Sequence, residues 1–133
     1  MKYLVDTSVI LDFLAQKQDM VDLLSNRLEE GMAISICVIS EIYYGYWWLE
    51  TKREKKKMEA LEELLKDGLI TTLKVDEAIG REYGYIQGLL RRSGKTLGVM
   101  DGIIAATARV NGLTLLTSDR DFFRVPKLDF ELV

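Results

Sequence analysis

The chain has 133 residues, 48% of them apolar and 29% charged, a mixture that excludes disordered and fibrous classes and suits one α/β domain spanning 1–133. Its formal net charge of −3 does not advertise a nucleic-acid partner, although "KREKKK" at 52–57 and "RRSGK" at 91–95 are local basic clusters. There is no histidine, which excludes Ser-His-Asp and Cys-His catalysis and every histidine-containing zinc site, so any hydrolytic chemistry must rest on carboxylates and a metal.

In chain order, "KYLV" reads as a strand that feeds directly into a helix over "TSVILDFL", where Val9, Ile10, Phe13 and Leu14 recur at helical spacing. A second helix through "DMVDLLSNRLEEG" is expected to stop at Gly31, and "MAIS" is expected to form the next strand. The segment after Ser35 carries two signals: "ISICVI" is rich in β-branched residues, while Val38, Ile42, Tyr46 and Leu49 trace a helical stripe. Ser35 is taken as the N-cap of a helix. The charged stretch to Lys57 continues into "MEALEELLKDG", with Met58, Leu61, Leu64 and Leu65 facing the core and Gly68 as the stop. "LITTLKV" supplies a third strand.

Asp76 is the expected N-cap of a helix to about Arg92, with Ile79, Tyr83, Ile86, Leu89 and Leu90 on its apolar face. Gly80, Gly84 and Gly88 fall one turn apart on it. Each costs on the order of 1 kcal/mol relative to alanine, so the stripe points to close approach by another backbone, that of a partner or a second subunit. "VMDGIIAATARVNG" is a helix ended by Gly112, "LTLLTS" a strand, and "LDFELV" a final strand after Pro126. Alternating strands and helices imply a mostly parallel sheet covered on both faces. The lone Cys37 suits a reducing cytoplasm, and neither a secretory leader nor a run of ~18 apolar residues is expected to carry the chain to or through a membrane.

Ligands of open α/β sheets sit beyond the carboxyl ends of the strands. Asp6 follows the first strand and Asp119 follows "LTLLTS", while Glu41 and Asp101 lie early in helices that border the same edge. Taken singly, Asp6, Asp101 and Asp119 are N-cap candidates and Glu41 a surface residue. Together they form a set of like charges that is costly unless a cation sits between them. Oxygen-only ligands select a hard ion, Mg²⁺ or Mn²⁺, the makeup of a metal-dependent phosphodiesterase.

At these residues the sequence resembles the PIN-domain nucleases, and more narrowly their VapC-type toxin branch, through "LVDTSVILDFL", "SEIYYGY", "DGIIAATA" and "LLTSDRDF". The resemblance implies a PIN-like three-layer α/β sandwich with strand order 3-2-1-4-5 and a Mg²⁺- or Mn²⁺-dependent endoribonuclease, the toxin of a type II toxin–antitoxin pair. It makes Asp6, Glu41, Asp101 and Asp119 the acidic quartet; Asp121 is a further candidate for the role of Asp119, and the sequence leaves open which of the two is closer to the metal. Thr7, Ser8 and Thr117 match hydroxyl positions that bond to the carboxylates or to bound water. The partners it implies are RNA, a cognate antitoxin lying in the active-site groove, and a second copy of the chain.

On a helical projection from Glu41, Tyr44 and Trp48 share its face and, with Arg120, are candidates for the RNA or antitoxin groove. Ile42, Tyr46 and Leu49 are expected to face the core, whereas Tyr43 and Trp47 form a third stripe assigned to a partner or dimer surface. Arg124 joins Arg120 and the two basic clusters as candidate guides for an RNA backbone. An RNA-processing PIN nuclease without an antitoxin is the enzyme alternative. A receiver-type signalling module is disfavoured, because Asp6 is followed by Thr-Ser rather than a second acid and no lysine closely follows "LTLLTS".

Overall fold

A computed structural model describes residues 1–133. Five strands, β1 (Tyr3–Val5), β2 (Met32–Ser35), β3 (Ile70–Leu73), β4 (Thr114–Thr117) and β5 (Phe130–Leu132), pair in the order 3-2-1-4-5, every pairing parallel. Six helices complete the architecture: α1 (Thr7–Leu14), α2 (Gln18–Ser25), α3 (Ile36–Leu49), α4 (Lys52–Lys66), α5 (Glu77–Arg92) and α6 (Val99–Asn111). None is long and apolar enough to cross a membrane.

The sheet separates two cores because strand side chains alternate between faces. Tyr3, Val5, Met32, Ile34 and Leu116 pack with Val9 and Ile10 of α1, Leu24 of α2, Val38 and Ile42 of α3 and Leu61 of α4. Leu4, Ala33 and Leu115 face the other way, onto Ile79, Ile86 and Leu90 of α5 and Ile104 and Ala105 of α6. Both faces are therefore covered, which is why the short strands read as nearly continuous apolar runs.

Ser35 caps α3, its hydroxyl accepting the Cys37 N–H at 3.2 Å, and Asp76 caps α5, accepting the Ile79 N–H at 2.9 Å. The helix expected to run to Gly31 ends instead at Ser25. Just beyond it, the Arg27 guanidinium turns back to the Leu23 carbonyl at 3.2 Å and reaches Glu131 at 2.9 Å. Gly31 still closes a helical turn, the 3₁₀ segment Leu28–Glu30, and at φ +87° its carbonyl accepts both the Lys2 and Tyr3 N–H groups, where a Cβ would lie 2.7 Å from the Met1 Cα. Glu50 in the left-handed region separates α3 from α4, whose N-cap Thr51 accepts from the Glu54 N–H.

The glycines that α5 aligns do not meet the rest of the chain: a Cβ on Gly80, Gly84 or Gly88 would find nothing within 4 Å. The intrachain close approach falls on Gly102 of α6, where a Cβ would stand 2.6 Å from Gln87 Nε2 and 2.7 Å from the Tyr83 ring. That crossing brings the start of α6 down onto the sheet edge.

Candidate active site

Strand order reverses at β1, which has β2 on one side and β4 on the other. The crevice beyond their carboxyl ends is an open cleft of ≈ 680 Å³, lined by Asp6, Thr7, Ser8, Leu11, Glu41, Asp101, Ser118, Asp119 and Arg120. The four acids singled out in the sequence thus line one surface.

Asp6 is buried at the end of β1. Its Oδ1 accepts the Thr7 N–H at 2.7 Å, and its Oδ2 accepts the Thr117 hydroxyl at 2.6 Å. Capping and site geometry coincide here, and Thr117, rather than Thr7 or Ser8, supplies the side-chain donor. The same Thr117 oxygen accepts the Asp119 N–H at 3.0 Å, and Asp119 in turn caps the 3₁₀ turn Arg120–Arg124, with its Oδ1 accepting the Asp121 N–H at 2.8 Å. Ser8 bonds instead to Ser118, oxygen to oxygen at 2.9 Å. Ser118 is a cleft residue that the sequence reading missed; its only signal was its place between Thr117 and Asp119.

Asp101 is not the cap of α6. Gly98 holds that position without a side-chain bond, because Asp101 lies three residues further on, in the first turn. Burial and then the charges of Asp6, Asp119, Glu41 and Asp121 push the Asp101 carboxyl up to about 6. Burial also raises Asp6, against the hydrogen bonds from Thr117 and Thr7, and Asp119 adds to the rise. Glu41, half-buried rather than surface-exposed, is raised by burial, opposed in part by the Thr7 hydroxyl beside it, and raised further by the charge of Asp6.

Asp121 is exposed outside the cleft lining and pairs with Arg124 at 3.3 Å, leaving Asp119 as the acid at the cleft. The Arg124 guanidinium also donates to the Thr96 carbonyl at 2.7 Å, which ties it to the fold.

On α3, Tyr44 and Trp48 are about 70% exposed, at 68% and 71%, with ring centroids 6.0 Å apart. Tyr44 joins Ser40, Glu41 and Met100 around a shallow hollow beside Glu41. Tyr43 does not form a free stripe with Trp47: it is half-buried and its hydroxyl donates to Glu62 of α4, whereas Trp47 is exposed and stacks edge-on with Tyr46 at 5.1 Å. Leu49, expected in the core, is half exposed because α3 ends there and the chain turns through Glu50.

The donor set fits a hard cation. It is all oxygen, and its carboxyls raise one another's affinity for protons. The acids line one open cleft, and no three of them are gathered closely enough to hold a metal ion between them.

Fold and cleft together define a doubly wound α/β protein with an acidic, all-oxygen site at the switch point of its sheet. The chain belongs to the PIN domain family, which it matches over residues 3–128. It is 29% identical to Ribonuclease VapC2 of Haemophilus influenzae, over 98% of this chain and 97% of that one. It is likewise 29% identical to Toxin FitB of Neisseria gonorrhoeae, over 90% of this chain and 89% of that protein. The crystal structure of VapBC2 from Rickettsia felis bound to a DNA fragment from their promoter superposes with a TM-score of 0.86 at 24% identity, over 99% and 98% of the two chains.

Proposed function

We propose that this chain is a metal-dependent endoribonuclease and the toxin of a type II toxin–antitoxin pair. The observation that carries the reading is the convergence of Asp6, Glu41, Asp101 and Asp119 on one cleft at the switch point of a PIN-domain sheet. The relatives named as a ribonuclease and a toxin supply the substrate class and the biological setting.

Asp6, Glu41, Asp101 and Asp119 would hold Mg²⁺ or Mn²⁺. A bound ion supplies water activation at neutral pH and neutralises charge that develops on a phosphodiester. The chain's own residues do the rest. Thr117 fixes the rotamer of Asp6, and through the Asp119 N–H it fixes the turn that carries Asp119. One of the four carboxylates helps to deprotonate or orient the attacking water. Tyr44 and Trp48 offer stacking faces at the edge of the cleft, which suits unpaired bases.

The partners in this reading are RNA, a cognate antitoxin covering the cleft, and a second copy of the chain on the side of Trp47 and the α5 glycines. The setting is the cytoplasm, where RNA is available. The test compares RNA cleavage by the wild type in Mn²⁺, by the wild type with excess chelator, and by Asp101→Asn in Mn²⁺, with folding of the variant confirmed by circular dichroism. Cleavage only in the first supports the reading, and equal cleavage in all three overturns it. Co-purification of a small protein from the native host separates the toxin from an unpartnered processing nuclease.

A further inference from the structure

The cleft has a second wall that the acids do not explain. Among its nine lining residues the four carboxylates accept, Leu11 is apolar and the Thr7 hydroxyl is buried, so the donors facing solvent belong to Ser8, Ser118 and Arg120. Resting on the ribonuclease reading, we propose that Arg120 and Ser118 form a phosphate seat, donating to non-bridging oxygens of the RNA phosphodiester that faces the four acids.

Arg120 is the one cation on the cleft. It follows Asp119 and precedes Asp121, yet it makes no ion pair and no side-chain hydrogen bond with either. Asp119 Oδ1 accepts the Asp121 N–H at 2.8 Å, and the Asp121 carboxylate pairs with Arg124 at 3.3 Å. A solvent-exposed guanidinium on the cleft with no protein partner is available to an anion, and the planar fork of arginine matches two phosphate oxygens.

Ser118 is exposed on the cleft, and its oxygen lies 2.9 Å from that of Ser8, on the first turn of α1. Two hydroxyls carry two protons and their mutual bond uses one. With Ser8 as donor, the Ser118 proton is free for the cleft, and the bond it receives from Ser8 polarises it for a stronger donation. The acids alone would repel a phosphate. An ion on one wall and donors on the other let the anion enter and fix its orientation for in-line attack.

The test measures steady-state cleavage of a single-stranded RNA in Mn²⁺ by wild type, Arg120→Gln, Arg120→Lys and Ser118→Ala. Binding of the same RNA in Mg²⁺ is followed over a salt series in an Asp101→Asn background, with and without Arg120→Gln. Arg120→Gln is expected to lower kcat/KM on the order of 10- to 100-fold, and Ser118→Ala about 3- to 10-fold. Arg120→Lys recovers part of the loss, because charge returns without the fork. The log–log salt slope of binding falls by about 0.7 on loss of one phosphate contact to a single strand.

Values within twofold of wild type for both Arg120→Gln and Ser118→Ala, with the salt slope unchanged, overturn the proposal while wild-type cleavage leaves the ribonuclease reading intact. An inactive wild type overturns both readings together.

Discussion

The Thr117 hydroxyl stands 2.6 Å from Asp6 Oδ2 and accepts the Asp119 N–H at 3.0 Å, so one buried side chain links two acids that lie 113 residues apart in the chain. Removing that hydroxyl with Thr117→Val keeps the shape but leaves Asp6 short of a donor in a buried site. The expected loss is about 1.5–3 kcal/mol of stability, the range for a hydrogen bond to a charged group. Because the Thr117 bond holds the Asp6 carboxyl down against burial, its loss also moves the acid limb of the pH–rate profile upward. Thr117→Ser should retain most of both. Urea denaturation and a pH series of RNA cleavage check the pair, and a Thr117→Val profile identical to the wild type would refute the linkage.

Asp101 sets a second expectation, in which stability and activity diverge. Its carboxyl is raised from an ordinary value of 3.8 to about 6, first by burial and then by Asp6, Asp119 and Glu41. Between those values the folded chain binds more protons than the unfolded one, so this contribution to stability is present at low pH and fades as pH rises through 6. Since Asp101 is more than a third exposed, solvent screening limits the effect to about 1 kcal/mol. In chelator, Asp101→Asn should therefore raise the melting temperature at pH 7.5 and change it little at pH 4.5, while in Mn²⁺ it should abolish cleavage. Added Mn²⁺ should raise the melting temperature of the wild type at pH 7.5 more than that of the variant. A variant less stable than wild type at pH 7.5 in chelator would contradict the electrostatic account.

Glycines on α5 and α6 behave oppositely. Gly102→Ala drives a Cβ to 2.6 Å from Gln87 Nε2 and 2.7 Å from the Tyr83 ring, and should cost about 1–3 kcal/mol as overpacking at the helix crossing. Gly80→Ala, Gly84→Ala and Gly88→Ala meet open space in the single chain, so each should stabilise the protomer by about 0.5–1 kcal/mol. If the stripe packs against a second copy, the triple alanine variant gains protomer stability and loses dimer in sedimentation equilibrium. Unchanged association removes the glycines from the interface.

The contrast shows what could be read from the chain and what could not. Strand–helix alternation, the caps at Ser35 and Asp76, and the placing of Asp6, Glu41, Asp101 and Asp119 along one sheet edge follow from local chemistry and from the rule that ligands sit beyond strand ends. Pairings made across the fold do not. Nothing near Ser8 announces Ser118, 110 residues away, and a helical wheel centred on Glu41 cannot know that Glu62 of α4 will take the Tyr43 hydroxyl. Periodicity likewise placed Leu49 in the core, although the helix ends there and leaves it half exposed. The glycine spacing on α5 was plain in the sequence, whereas the steric need at Gly102 depends on which helix crosses it.

Asp119 and Asp121 are close enough in sequence that only the fold separates them. Asp119 lines the cleft and caps the 3₁₀ turn, while Asp121 is exposed and pairs with Arg124 at 3.3 Å. Asp119→Asn keeps an oxygen able to accept the Asp121 N–H, so the turn survives while one negative charge leaves the cleft. RNA cleavage should then fall by two or more orders of magnitude, roughly 3 kcal/mol in transition-state terms, with less than about 1 kcal/mol lost from stability. Asp121→Asn breaks the pair with Arg124 and removes the weakest of the four charges that act on Asp101, and should lower activity by less than about tenfold. Isothermal titration with Mn²⁺ distinguishes the two directly. Affinity lost in Asp119→Asn and kept in Asp121→Asn assigns the ion to the cleft, and the reverse pattern would place it at the rim beside Arg124.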